Sequence, residues 1–430
     1  MEFGTQENKE GVLHIGGLST KELVKHYGTP LYVYDESYIE SRLDTFKTVF
    51  TSTQFNANIA YASKALLNKK IVKMIQSHNL YMDSVSGGEL YVIKESGFDM
   101  SRVLFHGNNK SIQELSQAIA YGVGLIVVDN VSELEVLSNL AKTKDHEIHT
   151  LLRVNPGIEA HTHEYIETAR LTSKFGESIF DDDMINRIMT IYKSSVNLKL
   201  DGFHCHIGSQ VFGQKPFIKT IDVMSEFISR IEKAYRVTVK TLNIGGGFGV
   251  QYTTDDTPEP LDELLSELVT HAEKTFNDYA LSIENVFIEP GRSIVANAGV
   301  GLYEVGYIKE TYGKKDYVFV NGGMSDNIRP ALYQAKYTCD IANKLNQPRN
   351  KVYTVAGKLC ESGDVLVHNA KLPTPEQGDI LAIYTTGAYG YSMSSHYNKM
   401  PRPAIVFVKD GQSECVVRRE TYRDLFRLDQ

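Results

Sequence analysis

A chain of 430 residues exceeds what one small core organises, so two domains are expected. With 42% hydrophobic and 23% charged residues it has the composition of an ordinary globular protein, and 45 basic against 53 acidic residues argue against nucleic acid or an anionic membrane as main partner. Four scattered cysteines (Cys205, Cys339, Cys360, Cys415) with no C-x-x-C pair suit a reducing compartment. The N-terminus, with Glu2, Lys9 and Glu10, gives no expectation of a secretory signal, and no apolar run approaches the ~20 residues that span a bilayer. A cytoplasmic location is the resulting expectation.

In chain order, apolar runs at 12–15 and 30–34 predict a strand pair that joins a β domain rather than the barrel-like segment after it. Short strands then alternate with amphipathic helices. The strands fall at 57–62, 80–84, 103–106, 125–129, 149–154, 200–207, 241–245 and 286–290. Apolar residues spaced i, i+3, i+4 predict helices over 131–141, 184–192, 218–234 and 261–276, with Asp129-Asn130 and Asp181-Asp182 supplying N-cap chemistry. Eight strands, each but the last followed by a helix, is the count of an α/β fold of the (β/α)8 barrel type. After about residue 295, runs at 300–308, 317–320, 351–355, 380–384 and 404–408, split by Gly, Pro and Asn, read as an antiparallel β domain. The expected division is a barrel over 36–294 and a β domain from 1–35 with 295–430.

The chemically unusual residues fall in one place. Lys64, Asp83, His106, Arg153, His206, the run Gly245, Gly246, Gly247 and the segment Glu289-Pro290-Gly291-Arg292 all stand at or just beyond the C-terminal ends of successive strands, where barrels keep their active sites. A lysine there can condense with an aldehyde cofactor, although most strand-end lysines are merely solvated or ion-paired. Gly245-Gly246-Gly247-Phe248-Gly249 does not fit G-x-G-x-x-G, because Val250 takes the last glycine's place, and no P-loop motif exists. A glycine run still lets backbone approach a phosphate, and the loops after strands seven and eight are the usual phosphate site of barrels; a tight turn is the lesser alternative. Glu289 can keep a pyridine nitrogen protonated and Arg292 can bind an anion, or the two can form a simple ion pair. The pairs His204-Cys205-His206 and His161-Thr162-His163 have zinc-ligand spacing, which keeps a metal-dependent hydrolase barrel open as an alternative. Stacking of His206 on an aromatic ring, with Ser209 bonded to a phosphate, is the favoured reading, and no metal is expected. Cys360, in Leu359-Cys360-Glu361-Ser362-Gly363-Asp364, reads by itself more readily as an inert thiol than as a catalyst.

Tyr61-Ala62-Ser63-Lys64-Ala65, Asp83-Ser84-Val85-Ser86-Gly87-Gly88-Glu89-Leu90, the segment from His204 to Gln210, the glycine run, Glu289-Pro290-Gly291-Arg292, the Cys360 segment and Gly387-Ala388-Tyr389 occur together and in order. As a set they resemble the fold-type III pyridoxal-phosphate decarboxylases over about residues 10–425. Asn155-Pro156-Gly157, His161-Thr162-His163 and Ser173-Lys174-Phe175-Gly176 are similar to the diaminopimelate branch in particular. Residues 1–11 fall outside the resemblance and can be native or tag-derived. The resemblance implies pyridoxal 5'-phosphate carried on Lys64, with Asp83, His206, Ser209, Gly245, Gly246, Gly247, Glu289, Gly291, Arg292 and Tyr389 around it. It implies Lys64, His206 and Cys360 as catalytic residues, Cys360 being the acid that returns a proton to Cα. Arg292, Arg329, Tyr333, Glu361 and Tyr389 are the implied substrate-binding residues. Cys360, Glu361 and Tyr389 are implied to enter from a partner subunit, hence a homodimer with shared sites. The implied reaction is conversion of meso-2,6-diaminopimelate to L-lysine and CO2, the last step of lysine biosynthesis. A racemase on the same barrel would place arginine where Glu289 stands, and a non-enzymatic cofactor carrier would lack the β domain.

Overall fold

The computed structural model describes residues 3–158, 173–313 and 315–430, so His161-Thr162-His163 lies outside the described residues. The chain divides into two compact units, one of residues 43–249 with 258–291, the other of residues 1–42, 250–257 and 292–430.

The first unit is a closed parallel barrel. Its strands are β1 (Asn56–Ala62), β2 (Tyr81–Ser84), β3 (Val103–Phe105), β4 (Leu125–Val128), β5 (Ile148–Asn155), β6 (Leu198–His204), β7 (Thr241–Asn243) and β8 (Asn285–Ile288). Each pairs in parallel with its neighbours, β4 pairing with β5 and β8 with β1, so no edge is left among the eight. Ala60, Leu104 and Phe287 are fully or nearly fully buried together, with Tyr81 packed edge-to-face on Phe287 at 5.0 Å. The small Ala60 leaves room for the Phe287 ring, as a filled barrel bore requires.

Helices start where a short polar side chain follows a strand. Asn68, Ser86, Ser111, Asn130 and Asp181 each accept a hydrogen bond from the backbone N–H three residues on. The helices Val131–Ala141, Asp182–Ser194, Lys215–Tyr235 and Leu261–Asp278 contain the expected amphipathic runs. β6 stops at His204 rather than at 207. The chain turns at Gly208 (φ 144°) and Gln210 (φ 59°), which lets Val211 pair with Phe248 beyond β7.

The second unit corrects two expectations. Its main sheet is mixed: Leu31–Asp35 runs antiparallel to Gly299–Glu310 but parallel to Ala404–Lys409, and Asp316–Val320 runs parallel to Lys351–Ala356. Short turns force antiparallel pairing only between consecutive strands, whereas Leu31–Asp35 is inserted from a remote part of the chain. Val12–Ile15 does not pair with Leu31–Asp35 either; it is the middle strand between Glu7–Lys9 and Leu18–Ser19. Its buried Leu13 and Ile15 join Leu23, Val33, Val300, Leu302, Ala382, Val406 and Val408 in one apolar core.

Candidate active site

β1 ends in the turn Ser63–Ala65, which presents an exposed Lys64 side chain. The turn is anchored across the barrel sheet, where the Ser63 N–H donates to Asp83 Oδ1 at 3.2 Å. Asp83 is buried, and burial raises its pKa against the opposing pull of Lys64 and His106.

Glu289, one residue beyond β8, is held from three strand ends. Asn243 Nδ2 donates to its Oε1 at 2.7 Å, and His106 Nε2 lies 2.8 Å from the same oxygen. His204 Nε2 lies 3.3 Å from Oε2. These contacts come from the ends of β7, β3 and β6. Burial opposes ionisation of Glu289, but His106 and His204 more than offset it and hold the carboxyl well below its usual range. Burial pushes His204 down to about 4, so it is neutral near pH 7. The ring nitrogens of His106 and His204 and one Glu289 oxygen lie within 4.8 Å of one another, a spacing that two imidazoles and a carboxylate can also offer to a divalent cation. His206 is not part of this cluster, so the two imidazoles of His204-Cys205-His206 diverge.

His206 turns instead to the glycine run, where Gly246 N donates to its Nδ1 at 3.3 Å. Burial and the Lys64 charge hold His206 neutral. The run tolerates no side chain: a Cβ at Gly246 would stand 2.0 Å from the Glu289 carbonyl, and one at Gly247 (φ 112°) 2.4 Å from that of Gly208. Val211 N donates to Gly247 O at 2.8 Å and Gly249 N to Val211 O at 3.0 Å, tying the Ser209 loop to the glycine loop. Gly291 packs on β1, where a Cβ would come 2.8 Å from that of Ala62. Arg153, at the end of β5, lies against the Phe175 ring, 4.5 Å from its centroid.

The second unit brings Arg292 and Arg329 together on one tyrosine. Arg292 donates to the Tyr252 hydroxyl, which also accepts from Arg329 Nη1 at 3.1 Å; Arg329 Nη1 reaches the Tyr337 hydroxyl at 2.7 Å. The Arg292 guanidinium also lies 4.8 Å from the Tyr389 ring centroid. Tyr333, on the same short helix as Arg329, is exposed, as are Cys360 and Glu361. Sequence reasoning missed Asn243, Tyr252 and Tyr337, and left His106 and His204 without these partners. A polar residue inside the buried run Thr241–Asn243 was the one available signal.

Pyridoxal phosphate suits the barrel residues on observations independent of any relative. The Lys64 side chain is exposed, and the buried Glu289 carboxylate is ionised and can accept a ring N–H.

The model of the pyridoxal-dependent decarboxylase pyridoxal-binding domain matches residues 36–296. The chain is 44% identical over 425 residues to diaminopimelate decarboxylase of Bacillus subtilis (strain 168), covering 99% of this chain and 97% of that protein. It is 40% identical to the diaminopimelate decarboxylase of a Synechocystis species, covering 98% and 91%. Among solved structures, diaminopimelate decarboxylase from M. jannaschii in complex with L-lysine superposes with a TM-score of 0.92 at 32% identity, covering 99% of this chain and 98% of that one.

Proposed function

The chain belongs to the diaminopimelate decarboxylase family of pyridoxal-dependent decarboxylases, and on that premise we propose that it removes CO2 from meso-2,6-diaminopimelate to leave L-lysine. The observation that carries the reading is Glu289: a buried carboxylate, held ionised at the end of the last barrel strand, suits a protonated pyridine nitrogen and a decarboxylase rather than a racemase. Pyridoxal phosphate, when bound, supplies an aldehyde for the substrate amine and an electron-poor ring that takes up the electron pair released as CO2 leaves.

The chain's own residues do the rest. Lys64 would hold the cofactor through its amine, and Asp83 holds the Lys64 turn. Glu289 would accept a ring N–H, and neutral His206 would border the cofactor without adding a second positive charge. Ser209, the glycine run, Gly291, Arg292 and Tyr389 take the phosphate side. Cys360 delivers the proton to Cα. Arg292 and Arg329, with Tyr333, suit the distal carboxylate, and Glu361 the distal ammonium. Cys360 and Glu361 serve the partner subunit's site in a homodimer, whereas Tyr389, beside Arg292 of its own chain rather than entering from the partner as the resemblance implied, serves its own site; the enzyme works in the cytoplasm. Among the described residues, no helix is long and apolar enough to cross a membrane.

The test measures CO2 release and lysine formation, with borohydride trapping of the cofactor and mapping of the modified peptide. The expected label is on Lys64, and kcat/KM for meso-diaminopimelate should exceed that for ornithine by roughly 100-fold or more, because ornithine leaves the two arginines unmet. Arg329→Ala should narrow that ratio. Comparable kcat/KM for both substrates in the native enzyme overturns the substrate assignment, and no label on Lys64 overturns the cofactor site.

A further inference from the structure

We propose that His204 is a positioning residue for the cofactor: a neutral imidazole that donates its Nε2 proton to Glu289 Oε2, fixes the carboxylate in its charged form, and leaves that oxygen with the lone pair that accepts the pyridine N–H. The inference deepens the functional reading and rests on it. Oε1 is the more crowded oxygen, with Asn243 Nδ2 donating at 2.7 Å and His106 Nε2 standing 2.8 Å away. Among the described residues, Oε2 meets only His204, at 3.3 Å. A carboxylate oxygen accepts two hydrogen bonds, and Oε2, with one neighbour against two on Oε1, has the more room for a ligand.

The tautomer is set by the partners. His204 is 1% exposed, and among the described residues its Nδ1 has no hydrogen-bond partner. A neutral imidazole carries one N–H; placed on Nδ1 it would be wasted in the interior and would turn a bare Nε2 lone pair toward a carboxylate. Placed on Nε2 it meets Glu289. Leaving Nδ1 bare and buried is unfavourable for packing, so the imidazole there serves Glu289 rather than the core. Burial keeps His204 neutral near pH 7. The other charged or titratable groups that act on Glu289 come from every neighbouring element: His106 after β3, Asp83 on β2, Arg153 on β5, and Cys205 and His206 after β6.

The experiment compares His204→Phe and His204→Gln with the native holoenzyme, following the visible cofactor band and kcat against pH. Removing the donor weakens the hold on the carboxylate form, so the acid limb of both profiles should move up by about one pH unit in His204→Phe. There kcat should fall roughly 10–100-fold, the usual range for a lost supporting partner, with KM nearly unchanged. His204→Gln should restore the native limb, because its amide Nε2 stands where the imidazole Nε2 stood. A native limb in His204→Phe, or an equally displaced limb in His204→Gln, overturns the proposal. Nitrogen NMR of the native holoenzyme decides it without any variant: neutral His204 protonated on Nε2 from about pH 5 to 8 is expected, and an imidazolium or an Nδ1–H tautomer overturns it. Borohydride mapping of Lys64 in the same samples separates the two readings, since loss of that label would refute the cofactor site itself.

Discussion

Tyr252 carries more than its place in the sequence suggests. Its hydroxyl accepts from both Arg292 and Arg329, and its ring lies edge-to-face with Tyr337 at 5.4 Å. Two cations therefore share one buried neutral acceptor, an arrangement that keeps both guanidinium groups ready for an anionic substrate group. Tyr252→Phe should destabilise the protein by about 1–3 kcal/mol, the cost of a buried donor left unmet, and should raise KM for diaminopimelate more than it lowers kcat. Unchanged thermal stability and KM would count against this role. At this scale the sequence was legible where position alone is informative: Lys64, Asp83 and Glu289 stand at strand ends, and barrel topology gathers strand ends. It was opaque where meaning depends on partners. Nothing local to Tyr252 announces two arginines 40 and 77 residues away, and nothing local to His204 says that its partner lies beyond β8.

Among elements, the two loops that lead to Arg329 and Cys360 are tied by carboxylates rather than by packing. Asp364 accepts from Met324 N at 2.6 Å and from Leu359 N at 2.8 Å, so it joins the segment before Arg329 to the segment before Cys360. Within the first of these loops, Asp326 is buried and accepts from Gly323 N at 3.0 Å. Burial raises its pKa from 3.8 to about 7. A carboxyl whose folded pKa is raised contributes stability that is full below 3.8 and is lost as pH rises toward about 7. The loss is on the order of 4 kcal/mol. Asp326→Asn keeps the oxygen acceptor and removes the charge, so it should raise the urea midpoint at pH 8 and change it little near pH 4. A variant less stable than native at pH 8 would refute the argument. Loops of this kind defeat sequence reading because their hydrogen bonds carry no periodicity, whereas the barrel strands and helices announce themselves by it. The strand Gln412–Val417 escaped for the same reason: it is largely exposed and polar, and gives no apolar alternation.

At the scale of the whole molecule, the residues proposed for catalysis differ in surroundings. Glu289 and Asp83 are enclosed by the barrel's own strand ends, whereas Cys360 and Glu361 are exposed on a single chain, with Cys360 N held by Asn398 and Tyr397 bonded to its carbonyl. A proton donor in open solvent is a poor acid for a carbanion-like carbon, because water competes for the same site. A second copy that covers Cys360 removes that difficulty, which is the physical case for the shared-site homodimer. If each site takes Lys64 from one chain and Cys360 from the other, then Lys64→Ala and Cys360→Ala, each inactive alone, complement each other. In a mixed dimer one site keeps both native residues and the other loses both. Random mixing in equal amounts makes half the dimers mixed, each with one good site of two, so recovery should reach about a quarter of native activity. The converse mixture discriminates further. Native chains paired with the double variant have no intact site in the mixed dimer, so activity per native chain should fall as the double variant is added in excess. Complementation absent in dimers shown to be mixed, together with undiminished activity per native chain, would place Lys64 and Cys360 of one site on the same chain and remove the reason for the dimer.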